Sequence, residues 1–302
     1  MGRSKRSNFL TFLFQLRICK TLKDKSRMRN LFVLLLFILC NPMMGDEIGF
    51  SVFIDGRQVI FTMINIDEKT AYLGGGGFAF PSVNQYTEGI FVVPAEVDVN
   101  NIGKVTIIEI GPSAFYNCDK ITSIVLPETI TCIRANAFGG CSSLEKINIP
   151  ANVKLIEGMA FAQCKSLKEI VLNDNLEEIS TYVFTNSPLL EKINLPNSLK
   201  KIGHAGFDTF KEIYSDILDP ASVIIDDYTF YGCSRTILYV PVGTKNLYKN
   251  LPNWNKFRDI IEIGSSTTIT GVFEENNNLD FYNLNGYKCY PKSSKKLLIN
   301  DI

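Results

Sequence analysis

One histidine and one tryptophan are all that 302 residues contain of those side chains, and 31 Lys and Arg are balanced by 31 Asp and Glu. Each shortage excludes a class of function. A single imidazole cannot make an HExxH pair, and no zinc-ligand spacing or C-x-x-C is present. His204 lies beside Gly203 with no aligned carboxylate or cysteine, so it reads as a solvent-facing residue. Zero formal net charge leaves no overall field to recruit nucleic acid or anionic lipid. The run Gly74–Gly77 is followed by no Lys-Ser/Thr and opens no helical pattern, which makes it a loop and not a phosphate cradle. Neither a Ser-His-Asp series nor a dinucleotide fingerprint is present. No catalytic residue, metal ligand set or cofactor is expected, and the chain reads as a binding or structural protein rather than an enzyme.

What is present suffices for a core: 46% of the residues are hydrophobic and 21% charged. The first 45 residues differ from the rest. Cations from Arg3 to Arg29 are opposed there only by Asp24. The run Leu31–Leu39 that follows is too short to span a bilayer comfortably but suits the h-region of a secretory signal. Residues 1–45 are therefore expected to be a signal segment cleaved after Gly45, with Met28 as an alternative start, and the remainder to be exported to the cell surface or beyond. A lipid anchor on Cys40, disfavoured by the bulky Leu39 before it, is one competing reading. An uncleaved membrane anchor and retention in the periplasm are the others.

From residue 105 the chain repeats. Phe115, Phe138, Phe161, Phe184, Phe207 and Phe230 are each 23 residues from the next, and Ile110, Ile133, Ile156, Ile179, Ile202 and Ile225 keep the same step. A fixed period of this length is the signature of a solenoid. The unit reads L-x-x-I-x-L-P, a variable turn, then I-x-x-x-A-F-x-x-C. In Lys146-Ile147-Asn148-Ile149 the period of two turns both isoleucines inward, as a half-buried strand requires. Pro127, Pro150, Pro196 and Pro241 stop the ladder after each such strand, because proline has no N–H to give it. One unit cannot bury two walls, so units must stack at about 4.8 Å into parallel sheets. Cys118, Cys141, Cys164 and Cys233 then fall at equivalent corners, as a ladder of small buried thiols. Disulfides between stacked cysteines are the alternative, which export would permit.

This pattern resembles the BspA-like leucine-rich repeat family over about residues 105 to 241. The resemblance implies a right-handed solenoid with a binding role in an exported or surface protein, several relatives being implicated in adhesion to host matrix proteins or other cells. Two departures stand out. Ser187 replaces the corner cysteine in the fourth unit. The stretch after Phe207 is shortened, and three extra residues in Ser215–Pro220 restore the period.

The ends read differently. Residues 46–104 contain two alternating runs about Asp55-Gly56, a hairpin signal, and are expected to cap the first coil. Residues 105–263 hold the solenoid and a second cap, in which Thr244 starts a short helix through Leu251 while Trp254 and Phe257 cover the last coil. Residues 264–302 form a linker and a small tail, whose Phe281–Gly286, Pro291 and Leu297–Asn300 resemble tails of exported Bacteroidetes-type proteins.

On the outer face, stacking in register places Lys146, Glu169, Lys192 and Glu212 in one column and Glu145, Lys168, Glu191 and Lys211 in the next. Alternating signs support the strands and cancel any field toward a charged partner. The adjoining column runs Val125, Asn148, Val171, Asn194, Tyr214, Tyr239. Its aromatic end makes Tyr214 and Tyr239, with Val171 and Asn194, the candidate contact residues, since tyrosine supplies large area at low entropic cost. The competing reading has the tyrosines only shielding strand edges. A protein partner is expected, on host matrix or another cell surface; a glycan would also suit tyrosines, and a passive surface component is the third reading.

Overall fold

The computed structural model describes residues 49–75, 81–100, 102–204, 206–263 and three strands at 270–273, 279–282 and 288–289. The expected signal segment, Gly76-Gly77, the linker and most of the tail lie outside the described residues.

Strands β1 (Gly49–Ile54) and β2 (Arg57–Asn65) form an antiparallel hairpin with Ile54 opposite Arg57. Its turn is Asp55-Gly56, at φ 48° and 74°, so both residues are left-handed and the turn twists with its strands. β3 (Thr70–Leu73) pairs antiparallel with β2, whereas its other edge takes β6 (Gly103–Ile110) in parallel, which hands the sheet from hairpin to solenoid. Between them run β4 (Glu88–Val92) and β5 (Glu96–Val99), the latter antiparallel on β6.

Each following coil supplies two walls. On one, β6 is extended in parallel by β8 (Cys132–Ile133), β10 (Leu155–Ile156), β12 (Glu178–Ile179) and β14 (Lys201–Ile202). On the other, β4, β7 (Lys120–Val125), β9 (Lys146–Asn148) and β11 (Glu169–Val171) form one four-stranded sheet. There β13 (Lys192–Leu195), β15 (Glu212–Ser215), β16 (Ile237–Pro241) and β17 (Asp259–Ile263) form a second. The two-residue strands carry the repeating isoleucine, and Ile110, Ile133, Ile156, Ile179 and Ile202 are all buried. The wall thus extends beyond the recognisable repeats at both ends: β4 sets Phe91 opposite Ile124, and β17 sets Ile260 opposite Leu238. Pro241 does not follow its strand but is the last residue of β16, facing Ile263.

The corner after each isoleucine is bonded coil to coil by a repeating set of backbone hydrogen bonds. Phe115 N–H donates to Ala137 O, Phe138 to Ala160 and Phe161 to Val183, at 2.7–2.9 Å, while Asn117, Gly140 and Gln163 donate to Gly139, Ala162 and Thr185. Irregular backbone can be buried here because the next coil accepts its hydrogen bonds. That is why the spacing is held so strictly: one added residue would displace this whole set. The geometry needs left-handed residues on either side of the phenylalanine, at Ser113, Asn136, Met159 and Tyr182 before it and Asn117, Gly140, Gln163 and Asn186 after it. At Gly140 a Cβ would stand 2.2 Å from Asn117 Oδ1, so any larger residue there would have to displace the Asn117 amide.

Helix α1 (Lys245–Asn250) begins after Thr244, as expected, but the Thr244 hydroxyl does not cap it. That hydroxyl donates to Pro241 O instead, and Glu262 from β17 accepts the N–H groups of Gly243 and Lys245 at 3.0 Å. A carboxylate at the helix start satisfies orphan donors and suits the dipole. The cap is anchored by Tyr248, whose hydroxyl donates to Ile217 O at 2.7 Å, and by Trp254 and Phe257, which lie 4.7 and 4.9 Å from the Phe230 ring. In the tail, β18 (Thr270–Phe273), β19 (Leu279–Tyr282) and β20 (Lys288–Cys289) form an antiparallel sheet of their own.

Candidate functional site

The most repetitive residues are fully enclosed. Phe91, Phe115, Phe138, Phe161, Phe184, Phe207 and Phe230 make one aromatic column through the core, with successive centroids 5.1–6.3 Å apart, and Phe210 fills the side of the shortened unit. Each offset or edge contact contributes about 0.5–1.5 kcal/mol beyond its buried area.

The cysteines hold the corners together. Cys141 Sγ donates to Phe115 O at 3.2 Å, Cys164 to Phe138 O at 3.3 Å, Cys233 to Phe207 O at 3.5 Å and Cys118 to Val83 O at 3.6 Å. Ser187, the departure from the pattern, makes the same bond to Phe161 O at 2.9 Å. A residue type that serine replaces without loss of the contact is being used as a small donor. All four thiols are free and buried, and so is Cys132 on β8. Burial pushes Cys118, Cys164 and Cys233 up to about 12, and Cys141 well above its ordinary value. They stay protonated at neutral pH and are poor nucleophiles. A maleimide is expected to label Cys118, Cys141, Cys164 and Cys233 only after denaturation, and without reductant; rapid labelling of the native protein, or a need for reductant, would contradict this. The unfolded chain loses thiol protons above about pH 8.5 while the folded one keeps them. Stability from this source is therefore complete below that pH and declines as pH rises toward 12.

The outer wall carries the charges in alternating order, but the ladder is interrupted. Lys192 pairs with Glu212 at 2.8 Å, Lys168 with Glu145 at 3.8 Å, and Lys211 with Glu191. Lys146 lies in register with Glu169, yet β11 and β13 belong to different sheets, so each column is two ladders rather than one. Burial pushes Glu212 up, but hydrogen bonds from Lys192 and Tyr214 outweigh it and hold the carboxyl below its usual value. The opposite wall has a second set, between residues that no local pattern in the sequence pairs. Glu177 bridges Lys154 and Lys200, and Arg134 grips Glu109 through two nitrogens at 2.8 and 3.0 Å while reaching Glu157.

Asn194, Tyr214 and Tyr239 stand side by side on β13, β15 and β16. Val171 lies on β11, opposite Asn148 and in the other sheet. The tyrosine rings stack face to face, 4.7 Å apart and 8° from parallel. They are half-buried rather than freely exposed, because each ring covers its neighbour and Tyr214 donates to Glu212 at 2.7 Å. Ile261, across from Tyr239, extends the patch onto β17.

A more exposed aromatic surface lies at the corners that precede the buried phenylalanines. His204 sits 4.9 Å from Tyr182 and 5.1 Å from Tyr228, and Tyr228 is 6.5 Å from Tyr231. Tyr228 and Tyr231 are 57% and 69% exposed, more open than the candidate pair. The histidine is thus part of an aromatic strip and not isolated filler. Its signal was in the sequence: Met159, Tyr182 and Tyr228 fall on the 23-residue step, two residues before the phenylalanine.

Among the described residues no three His, Cys, Asp or Glu side chains group as a metal site, and no helix is long and apolar enough to cross a membrane. Residues 99–214 match the family described as BspA type leucine rich repeat region, in six copies. No curated protein matches the chain. Among solved structures, the leucine rich repeat protein TpLRR of T. pallidum is 23% identical (TM-score 0.48), the match covering 68% of this chain and 82% of that one. A leucine rich cell surface protein of Faecalibacterium prausnitzii is 20% identical (TM-score 0.44), over 79% and 60% of the two chains. The pneumococcal vaccine antigen PcpA is 16% identical (TM-score 0.43), over 72% and 71%. The 23-residue period, the two parallel walls and the corner ladder agree with that match, and residues 99–214 form a BspA-type leucine-rich repeat region.

Proposed function

We propose that this protein is exported, displayed at the cell surface, and binds a protein partner through aromatic residues at its surface without catalysing a reaction. The observation that carries this reading is the division of labour in the coil. The repeated phenylalanines and cysteines are buried, the charges are paired in alternating sign, and tyrosines are left at the surface of the last coils. A partner on host matrix or another cell surface accords with the family, and the basic and apolar opening of the chain accords with export.

The contact is placed first at Tyr214 and Tyr239, flanked by Asn194, with Val171 on the neighbouring sheet. The greater exposure of Tyr228 and Tyr231 favours a second reading, in which the aromatic strip makes the contact and the stacked pair shields strand edges. Partners would be captured by pull-down and titrated by calorimetry. Replacing Tyr214 and Tyr239 together by Ser is expected to weaken binding at least about tenfold, since truncating one central aromatic commonly costs about 2 kcal/mol. Replacing Lys146 and Glu169 together by Ser should leave binding unchanged and lower stability slightly. Unaltered affinity in the first variant, with loss in Tyr228→Ser/Tyr231→Ser, would move the contact to the strip. Binding on a glycan array without protein capture would instead favour a glycan receptor.

A further inference from the structure

The fold does not need large side chains at the corners that precede the buried phenylalanines. Two residues before Phe115 and Phe138, the left-handed position is held by Ser113 and Asn136, at φ 54° and 55°. In the next two coils the same position carries Met159 and Tyr182, at φ 58° and 57°, both exposed. A bulky side chain is strained in that conformation, and an exposed one gains little from burial in return, so it answers to a use outside the core. From Tyr182 the rings continue through His204 to Tyr228 and Tyr231 across successive coils.

Charge singles out the same place. The three corners that carry these rings, residues 180–187, 203–210 and 226–233, contain Asp208, Asp226 and Asp227 and no Lys or Arg. All three aspartates are exposed, and none of them is in an ion pair among the described residues, whereas both walls pair their charges from coil to coil. Asp226 is occupied within its own turn, accepting from Tyr228 N–H at 2.8 Å and the Thr229 hydroxyl at 3.2 Å. Asp227 accepts only a long bond from Asn253, at 3.3 Å, and Lys256 from the cap donates to the Asp227 carbonyl and not to its carboxylate. Asp208 lies against Gly232, the residue after Tyr231: a Cβ on that glycine would stand 2.8 Å from Asp208 Cβ. Two carboxylates thus border the two most open rings. Tyrosine faces attract cations, and the planar guanidinium is the cation that stacks on a ring while pairing with a carboxylate. Tyr228 and Tyr231 are 6.5 Å apart, close to the roughly 6.6 Å between alternate residues of an extended chain.

We propose that this surface takes an extended, arginine-bearing segment of the protein partner, with guanidinium groups stacked on Tyr228 and Tyr231 and paired with Asp208 and Asp227. The assignment rests on the reading that places the contact at the aromatic strip. Short blocked peptides alternating glycine with arginine, lysine or citrulline would be titrated onto the full chain by calorimetry at about 0.15 M salt. The arginine peptide is expected to bind more tightly than the lysine peptide and at least about tenfold more tightly than its uncharged citrulline counterpart. Tyr228→Ser with Tyr231→Ser, and separately Asp208→Asn with Asp227→Asn, should each weaken it at least about tenfold while the thermal melt is unchanged. Equal binding of the arginine and citrulline peptides or of the arginine and lysine peptides, no binding at millimolar concentration, or full affinity in either variant would each overturn the assignment. A captured partner that the double tyrosine variant no longer binds, but that the arginine peptide does not displace, would keep the strip as the contact and overturn the arginine assignment alone.

Discussion

Phe161→Ala is expected to lower the free energy of unfolding by about 3–5 kcal/mol, the largest loss of any single substitution considered. Phe161 has no exposed surface and sits between Phe138 at 5.1 Å and Phe184 at 6.3 Å. Removing the ring loses its transfer energy and opens a gap that cannot close. The backbone N–H groups of Phe161 and Gln163 are tied to Val183 and Thr185 of the next coil, so the corner cannot sink into the space. Urea unfolding would read the loss. The damage should be local in origin: Phe138→Ala with Phe161→Ala should depart from additivity, because the two rings share one contact. A loss below about 1 kcal/mol would show that the column is loosely packed and is not the core of the stack.

The fold is most legible in the sequence where the chain repeats itself. Period, inward isoleucines and terminal prolines are local signals, and six copies of the same spacing removed the ambiguity any one would have left. The hairpin was legible for a similar reason, since Asp55-Gly56 is a turn that few other residue pairs can make. What escaped depended on partners distant in sequence. Thr244 looked like a helix cap, but Glu262, reaching back from β17, took that role. β4 and β17 lie outside the motif because an end coil has a neighbour on one side only and needs no complete corner. The strip of Tyr182, His204 and Tyr228 is broken in the sequence because its middle ring lies off the period. Ala205 occupies the aromatic position of the period there, and the histidine one residue earlier supplies the ring.

The second large effect concerns the stack itself. Removing Phe138 through Ala160 takes out one period and joins Ala137 to Phe161, restoring the Ala-Phe corner with every remaining neighbour relation of the same kind. The β7 wall would then face β11 directly, and Arg134 would keep its grip on Glu109 while losing Glu157. Removing Asn148 alone is a far smaller change in mass and a far larger one in structure. It turns Ile149 out of the core and shifts the donors of one corner against the acceptors of the next.

Urea unfolding of these two deletions beside the parent, followed by circular dichroism, tests the stacked-coil account most directly. The account predicts one cooperative transition for the chain lacking residues 138–160, with reduced stability and native-like secondary structure, and loss of cooperative folding for the chain lacking only Asn148. Equal damage from both deletions, or a better fold in the chain lacking one residue, would contradict it.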